Sequence, residues 1–216
     1  MTSKFGWKPE DIKIEKRGIS KAEPNPQLTP QGRQALAVTE ALEADIRDKW
    51  ATLTHNIEKG MPIRTAMAQF KQQMMGLIVS GMSEAWAVGS GSVVGGEAEI
   101  DEALAVQEDY LNKFIAELTD SLKKAPNKDA IRKILAGNES RAMLYAGAAW
   151  LVFNRAKVFG KPDTALFRWS GPTDSRSCSD CIDEVKMGVR PLKEIKRFPG
   201  EVSCIGNCRH EIIQVR

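Results

Sequence analysis

The residues best suited to chemistry are soft metal ligands crowded into one stretch of the chain, 169–210. All four cysteines lie there, as Cys178-x2-Cys181 and Cys204-x3-Cys208, together with His210, one of only two histidines. Two pairs of soft ligands, each close in sequence and 22 residues apart, suit an ion that takes sulfur and imidazole in tetrahedral array. A C-x2-C turn offers two thiolates to one point without strain. The intervening chain is long enough for a short hairpin to bring the second pair back. The expected cofactor is a structural Zn2+.

Two other chemistries compete with zinc. Disulfides would need an oxidising compartment, and no signal peptide is legible at the start of the chain. A redox or catalytic thiol is the other, because C-x2-C also marks thioredoxin-like sites. Such redox motifs open a helix, whereas Pro172 and the Ser/Asp run before Cys178 point to a loop knuckle. The expected ligands are Cys178, Cys181, Cys204 and Cys208. His210 lies two residues beyond Cys208 and in extended backbone points to the same side. It is the alternative fourth ligand.

The elements that must position these ligands are mostly helical. Thr29-Pro30 is a helix start, a hydroxyl cap followed by proline at the first helical position. From there Leu42, Ile46, Trp50, Leu53 and Ile57 form one stripe on a long helix ending near Gly60. His55 falls off that stripe and is expected to face solvent with no role. Gly60-Met61-Pro62 starts a second helix striped by Ile63, Met67, Phe70, Met74, Leu77, Ile78, Met82 and Trp86. Its methionines suit a core better than an adaptable binding groove. Segment 89–96 is glycine-rich, but it lacks dinucleotide spacing and a following lysine, so a turn between helices is expected. A third helix over 98–124 buries Ile100, Leu104, Leu111, Phe114, Ile115, Leu118 and Leu122. A short helix over 128–136 and a further one over 139–158 follow, parted at Gly137-Asn138. The last carries Ala146, Gly147, Ala148 and Ala149, small residues that allow close approach and make it the expected centre of the bundle.

Beyond Gly160-Lys-Pro162, segment 164–170 alternates, with Ala165, Phe167 and Trp169 on one face as in a short strand. A second strand over 211–215 is expected to return beside it. The fold class is therefore mainly α, a long-helix bundle with a small C-terminal zinc-stapled β module. The boundaries are an extended N-terminal arm over 1–28, a helical domain over 29–160 and a zinc-binding module over 161–216. The arm holds Pro9, Pro24, Pro26 and many charges, with Phe5, Trp7, Ile12 and Ile14 as its apolar exceptions. It either docks on a partner or on the protein's own body, or stays disordered in the free protein.

Composition excludes several classes. Hydrophobic residues make up 42% and charged residues 27%, ordinary for a chain with a real core. A net charge of +3 supports no strong affinity for nucleic acid. From residue 151 onward there are twelve Lys and Arg against eight Asp and Glu, which fits a solvated surface better than a DNA patch. The longest apolar run, 142–153, is shorter than the roughly 20 residues that span a bilayer. A soluble protein with no membrane partner and no small-molecule substrate is expected. No nucleophile sits with a base and no second histidine accompanies the first, so no catalytic residue and no enzyme activity are expected.

The C-terminal stretch resembles the phage head morphogenesis family, the Mu F-like minor head proteins of tailed bacteriophages. The matching positions are Trp169, Asp174, Cys178, Cys181, Gly188, Pro199, Cys204, Asn207, Cys208, Arg209 and His210. The preceding helix, with Asn138-Glu139-Ser140-Arg141 and Asn154-Arg155-Ala156, is similar to the family's helix before that module. Where the family often has His-Pro-x-Cys before the final Arg, this chain has Cys204-Ile-Gly-Asn-Cys208, one residue longer, and His210 replaces the last cysteine. The resemblance implies a minor virion protein in few copies near the portal, assembled in the host cytoplasm into a DNA-filled head. Its partners would be the portal, the major capsid protein or both. A zinc-dependent DNA-binding module assisting genome packaging or ejection is the alternative.

Overall fold

The computed structural model describes residues 28–175, 177–201 and 208–215. The arm 1–27 and the segment 202–207, which carries Cys204 and Asn207, lie outside the described residues. The fold is mainly α with a small three-stranded antiparallel sheet near the C-terminus.

Helix α1 spans Pro30–Glu58, with the Thr29 hydroxyl accepting from Gly32 N as an N-cap. Helix α2 spans Ile63–Ser90 and ends on Gly91, whose φ of 75° is the left-handed cap that glycine adopts without a Cβ clash. Helices α3, Glu97–Lys123, and α4, Lys128–Met143, follow. The stripes are core as expected: Leu42, Ile46, Trp50, Leu53 and Ile57 are buried on α1, and Met67, Phe70, Met74, Ile78, Met82 and Trp86 on α2. Ile63 and Leu77 pack against that core while partly exposed. On α3, Leu111, Phe114, Leu118 and Leu122 are buried, with Ile100, Leu104 and Ile115 at its margin. Trp50 ties α1 to its neighbours, edge-on to Phe70 at 5.5 Å and stacked on Phe114 at 6.1 Å. His55 is exposed.

The chain departs from expectation at Gly137-Asn138. Helix α4 runs straight through them, and the break falls at a 3-10 turn over Leu144–Ala146. Asn138 donates its amide to Ile134 O at 2.8 Å, so its side chain is satisfied inside the helix. Gly137 costs a helix only about 1 kcal/mol, less than packing on either side supplies. Helix α5, Gly147–Val158, is buried along almost its whole length. It lies chiefly on α2, and at Gly89 the two backbones come so close that a Cβ would sit 2.5 Å from Phe153 O.

Strand β1, Leu166–Ser170, buries Phe167 and Trp169 and exposes its alternate residues. It pairs on one side with β3, Glu211–Gln214, in the register Trp169↔Ile212. On the other side it pairs with β2, Arg190–Pro191. The sheet has no core of its own: Phe167, Ile195, Phe198 and Ile212 pack against Leu151 and Val158 of α5. Between β1 and β2 lies helix α6, Ser179–Lys186, with Cys178 as its N-cap. The expected loop knuckle at C-x2-C is thus the start of a helix. Two turns are too short for hydrophobic periodicity to be legible.

Candidate metal centre

Two backbone segments bring the soft ligands together. The first leaves β1 at Ser170 and opens α6. The second enters β3 from Cys208. Cys181 lies in the first turn of α6 and Cys208 two residues before His210, and their sulfurs stand 3.8 Å apart. The ligand atoms of Cys181, Cys208 and His210 all lie within 4.8 Å of one another. An ion holding two sulfurs at about 2.3 Å in a tetrahedron separates them by about 3.8 Å. The donor set and its spacing therefore fit such an ion. Cys181, Cys208 and His210 would hold it, and it would supply a cross-link between the two segments.

His210 is oriented for this role. The ring is 1% exposed, and Nε2 is 2.8 Å from the carbonyl of Pro172. A carbonyl only accepts, so Nε2 carries the proton and Nδ1 presents its lone pair. Nδ1 is buried and has no hydrogen-bond partner among the described residues. An orphaned buried acceptor is costly in a dry interior, and a cation could satisfy it. Gly171 lets the ring seat: a Cβ there would fall within 2.6 Å of His210 Cγ. Trp169 closes the site, its ring centroid 6.2 Å from that of His210. It forms one apolar cluster with Cys178 and Cys181, against which Cys208 packs.

Of the four expected ligands, the structure thus brings Cys181 and Cys208 together. Cys178 sits next to them, buried, with its sulfur accepting from Cys181 N at 3.4 Å. Cys204 lies outside the described residues. His210, read from sequence as the substitute ligand, is the residue whose nitrogen meets the two sulfurs. Asp174 and Arg209 form an ion pair across the two segments, and Arg209 also donates to Ser177 Oγ at 3.1 Å.

Residues that the motif did not point to hold β3 in place. Trp150 donates from Nε1 to His210 O at 2.7 Å. One turn on, Asn154, fully buried, accepts from Ile212 N at 2.8 Å and donates to Trp150 O. Glu211, also fully buried, accepts from Lys157 Nζ at 2.8 Å, from Thr29 N at 2.5 Å and from Thr29 Oγ1 at 2.8 Å. Burial pushes the Lys157 ammonium below its ordinary value, and the Glu211 carboxylate opposes that shift. Arg155 donates twice to Glu201, whose other oxygen accepts from Phe198 N. Of these residues, Asn154 and Arg155 carried a sequence signal through the family resemblance and Thr29 one as a helix cap. Polar side chains on an apolar helix gave no other warning.

Compared with protein-family models, with curated proteins and with solved structures, the chain matches none of them. Among the described residues no helix is long and apolar enough to cross a membrane.

Proposed function

We propose that this chain is a minor structural protein of a tailed-phage head, bound near the portal or capsid, with a C-terminal module fixed by one structural zinc ion. The observation that carries this reading is the convergence of the residues on which the family resemblance rests. Trp169, Cys178 and Cys181 share one cluster, Asp174 pairs with Arg209, and Cys208 and His210 meet Cys181. The cluster is built of residues that pack, pair or could ligate an ion, which supports an architectural role. The three longest helices offer extended lateral surfaces to protein partners. The ion would link the segment leaving β1 to the segment entering β3, supplying folding energy that so small a sheet lacks.

Several measurements test the proposal. The purified chain should carry one equivalent of zinc, bound through sulfur and nitrogen by X-ray absorption. Chelation should abolish the near-ultraviolet dichroism of the Trp169 module while most helical signal remains. In particles purified from the producing phage, the chain should appear in a few copies per portal. Absence from assembled heads would sink the virion reading. Metal-free protein with Cys181 and Cys208 oxidised to each other would sink the zinc reading. DNA affinity that falls steeply with salt would favour the packaging module instead.

A further inference from the structure

Helix α5 carries Trp150, Asn154 and Lys157 on one stripe, at spacings of four and three. All three meet consecutive residues of the chain entering β3. Trp150 Nε1 donates to His210 O at 2.7 Å, Lys157 Nζ donates to the Glu211 carboxylate at 2.8 Å, and Asn154 Oδ1 accepts from Ile212 N at 2.8 Å. The segment 208–212 is therefore laid along α5 and held there at residues 210, 211 and 212.

Two neighbouring side chains of that segment serve different places. His210 turns its ring to Cys181, Cys208 and the Pro172 carbonyl. Glu211 turns its carboxylate to the start of α1, where it accepts from Thr29 N and from Thr29 Oγ1. That hydroxyl is also the N-cap of α1, accepting from Gly32 N at 3.0 Å. The first turn sits directly on the carboxylate, since a Cβ at Gly32 would fall 2.8 Å from Glu211 Oε2. A negative charge there also meets the positive end of the helix dipole. One peptide unit thus joins a metal ligand to the anchor of a 29-residue helix.

The direction of any coupling follows from the unsatisfied nitrogen. His210 Nδ1 is buried with no hydrogen-bond partner among the described residues, and such a group gains free energy by moving toward water. Shifting the ring pulls on the His210 backbone, whose carbonyl is bonded to Trp150 and whose next residue is Glu211. Glu211, opposite Ser170, is the first paired residue of β3, so fraying of the strand from this end reaches it first. An ion on Cys181, Cys208 and His210 opposes both movements.

We propose, resting on the metal reading above, that the centre is coupled to the N-terminus of α1 through the strap 208–212. Ion occupancy tightens the hold of Glu211 on Thr29, and ion loss loosens it. Coupling between two binding equilibria is reciprocal, so loosening Glu211 from Thr29 weakens the hold on the ion.

Amide exchange and chelator competition on the full chain, with zinc as the added ion, test this. Chelation should speed exchange of the Thr29 amide at least about fivefold. The Lys124 amide, bonded to Asp120 O at the end of α3, should not change. Glu211→Gln should weaken zinc binding at least about fivefold with helical dichroism retained. Thr29→Ala, which keeps the backbone bond to Glu211, should weaken it in the same direction by a smaller factor. One equivalent of bound zinc to which Thr29 exchange is indifferent overturns the coupling alone, as does wild-type zinc affinity in both variants. Equal acceleration at Lys124 also overturns it, because the whole bundle then opens. A chain that takes up no zinc overturns the coupling and the metal reading together.

Discussion

Replacing Glu211 by alanine tests how the C-terminal module is held to the bundle. The carboxylate is fully buried and is shared by Lys157 Nζ, Thr29 N and Thr29 Oγ1. The Lys157 side chain is itself only 10% exposed. Its removal strands a buried ammonium and a backbone donor at the first turn of α1. Breaking a buried ion pair from one side costs about 3–5 kcal/mol. For a chain of this size that lowers Tm by roughly 6–20 °C. Urea denaturation of E211A, K157M and the double variant, all prepared alike, measures the cost and its origin. If the ammonium is the main casualty, K157M should recover part of the loss in the E211A background. A coupling of at least about 1.5 kcal/mol is then expected. High salt should change that coupling little, because a buried pair is poorly screened. Additivity to within about 0.5 kcal/mol would refute the reasoning, as would an E211A protein of wild-type stability.

Three further outcomes are expected. Gly171→Ala should force the His210 ring from its seat beside the Pro172 carbonyl and weaken zinc binding about tenfold or more while the helical dichroism is retained; unchanged affinity in a chelator competition would contradict it. Gly89→Ala and Gly76→Ala should move stability in opposite directions. A Cβ at Gly89 meets Phe153 O at 2.5 Å, whereas at Gly76 nothing lies within 4 Å, so overpacking costs about 1–3 kcal/mol at the first and helix propensity gains up to about 1 kcal/mol at the second. Burial holds the Tyr145 phenol well above its ordinary value and raises Tyr110 less. The folded state thus keeps a proton that the unfolded chain loses above about pH 10. Its contribution is intact below that pH and is lost as pH rises further. With two tyrosines in the chain, phenolate absorbance should show one ionising in the folded protein and the other only on alkaline unfolding, a pattern that simultaneous ionisation near pH 10 with intact dichroism would contradict.

Long helices declare themselves through periodicity, so the stripes of α1, α2 and α3, the Thr29 cap and the strand at Phe167 and Trp169 could be read from the chain alone. The cysteine spacing likewise marked the two segments from which Cys181 and Cys208 come together with His210 in a cluster that could hold a metal ion. Which atoms meet was beyond the sequence. Spacing treats Cys208 and His210 as rivals, whereas folding carries both to Cys181, because Trp150 and Asn154 fix the path of β3 and the Pro172 carbonyl selects the tautomer of His210. Nor could a local pattern show that α4 passes through Gly137, or that Glu211 reaches across the chain to Thr29. Local order follows from each segment's own polarity and caps, while a site follows from the distances that packing imposes between segments far apart in the chain.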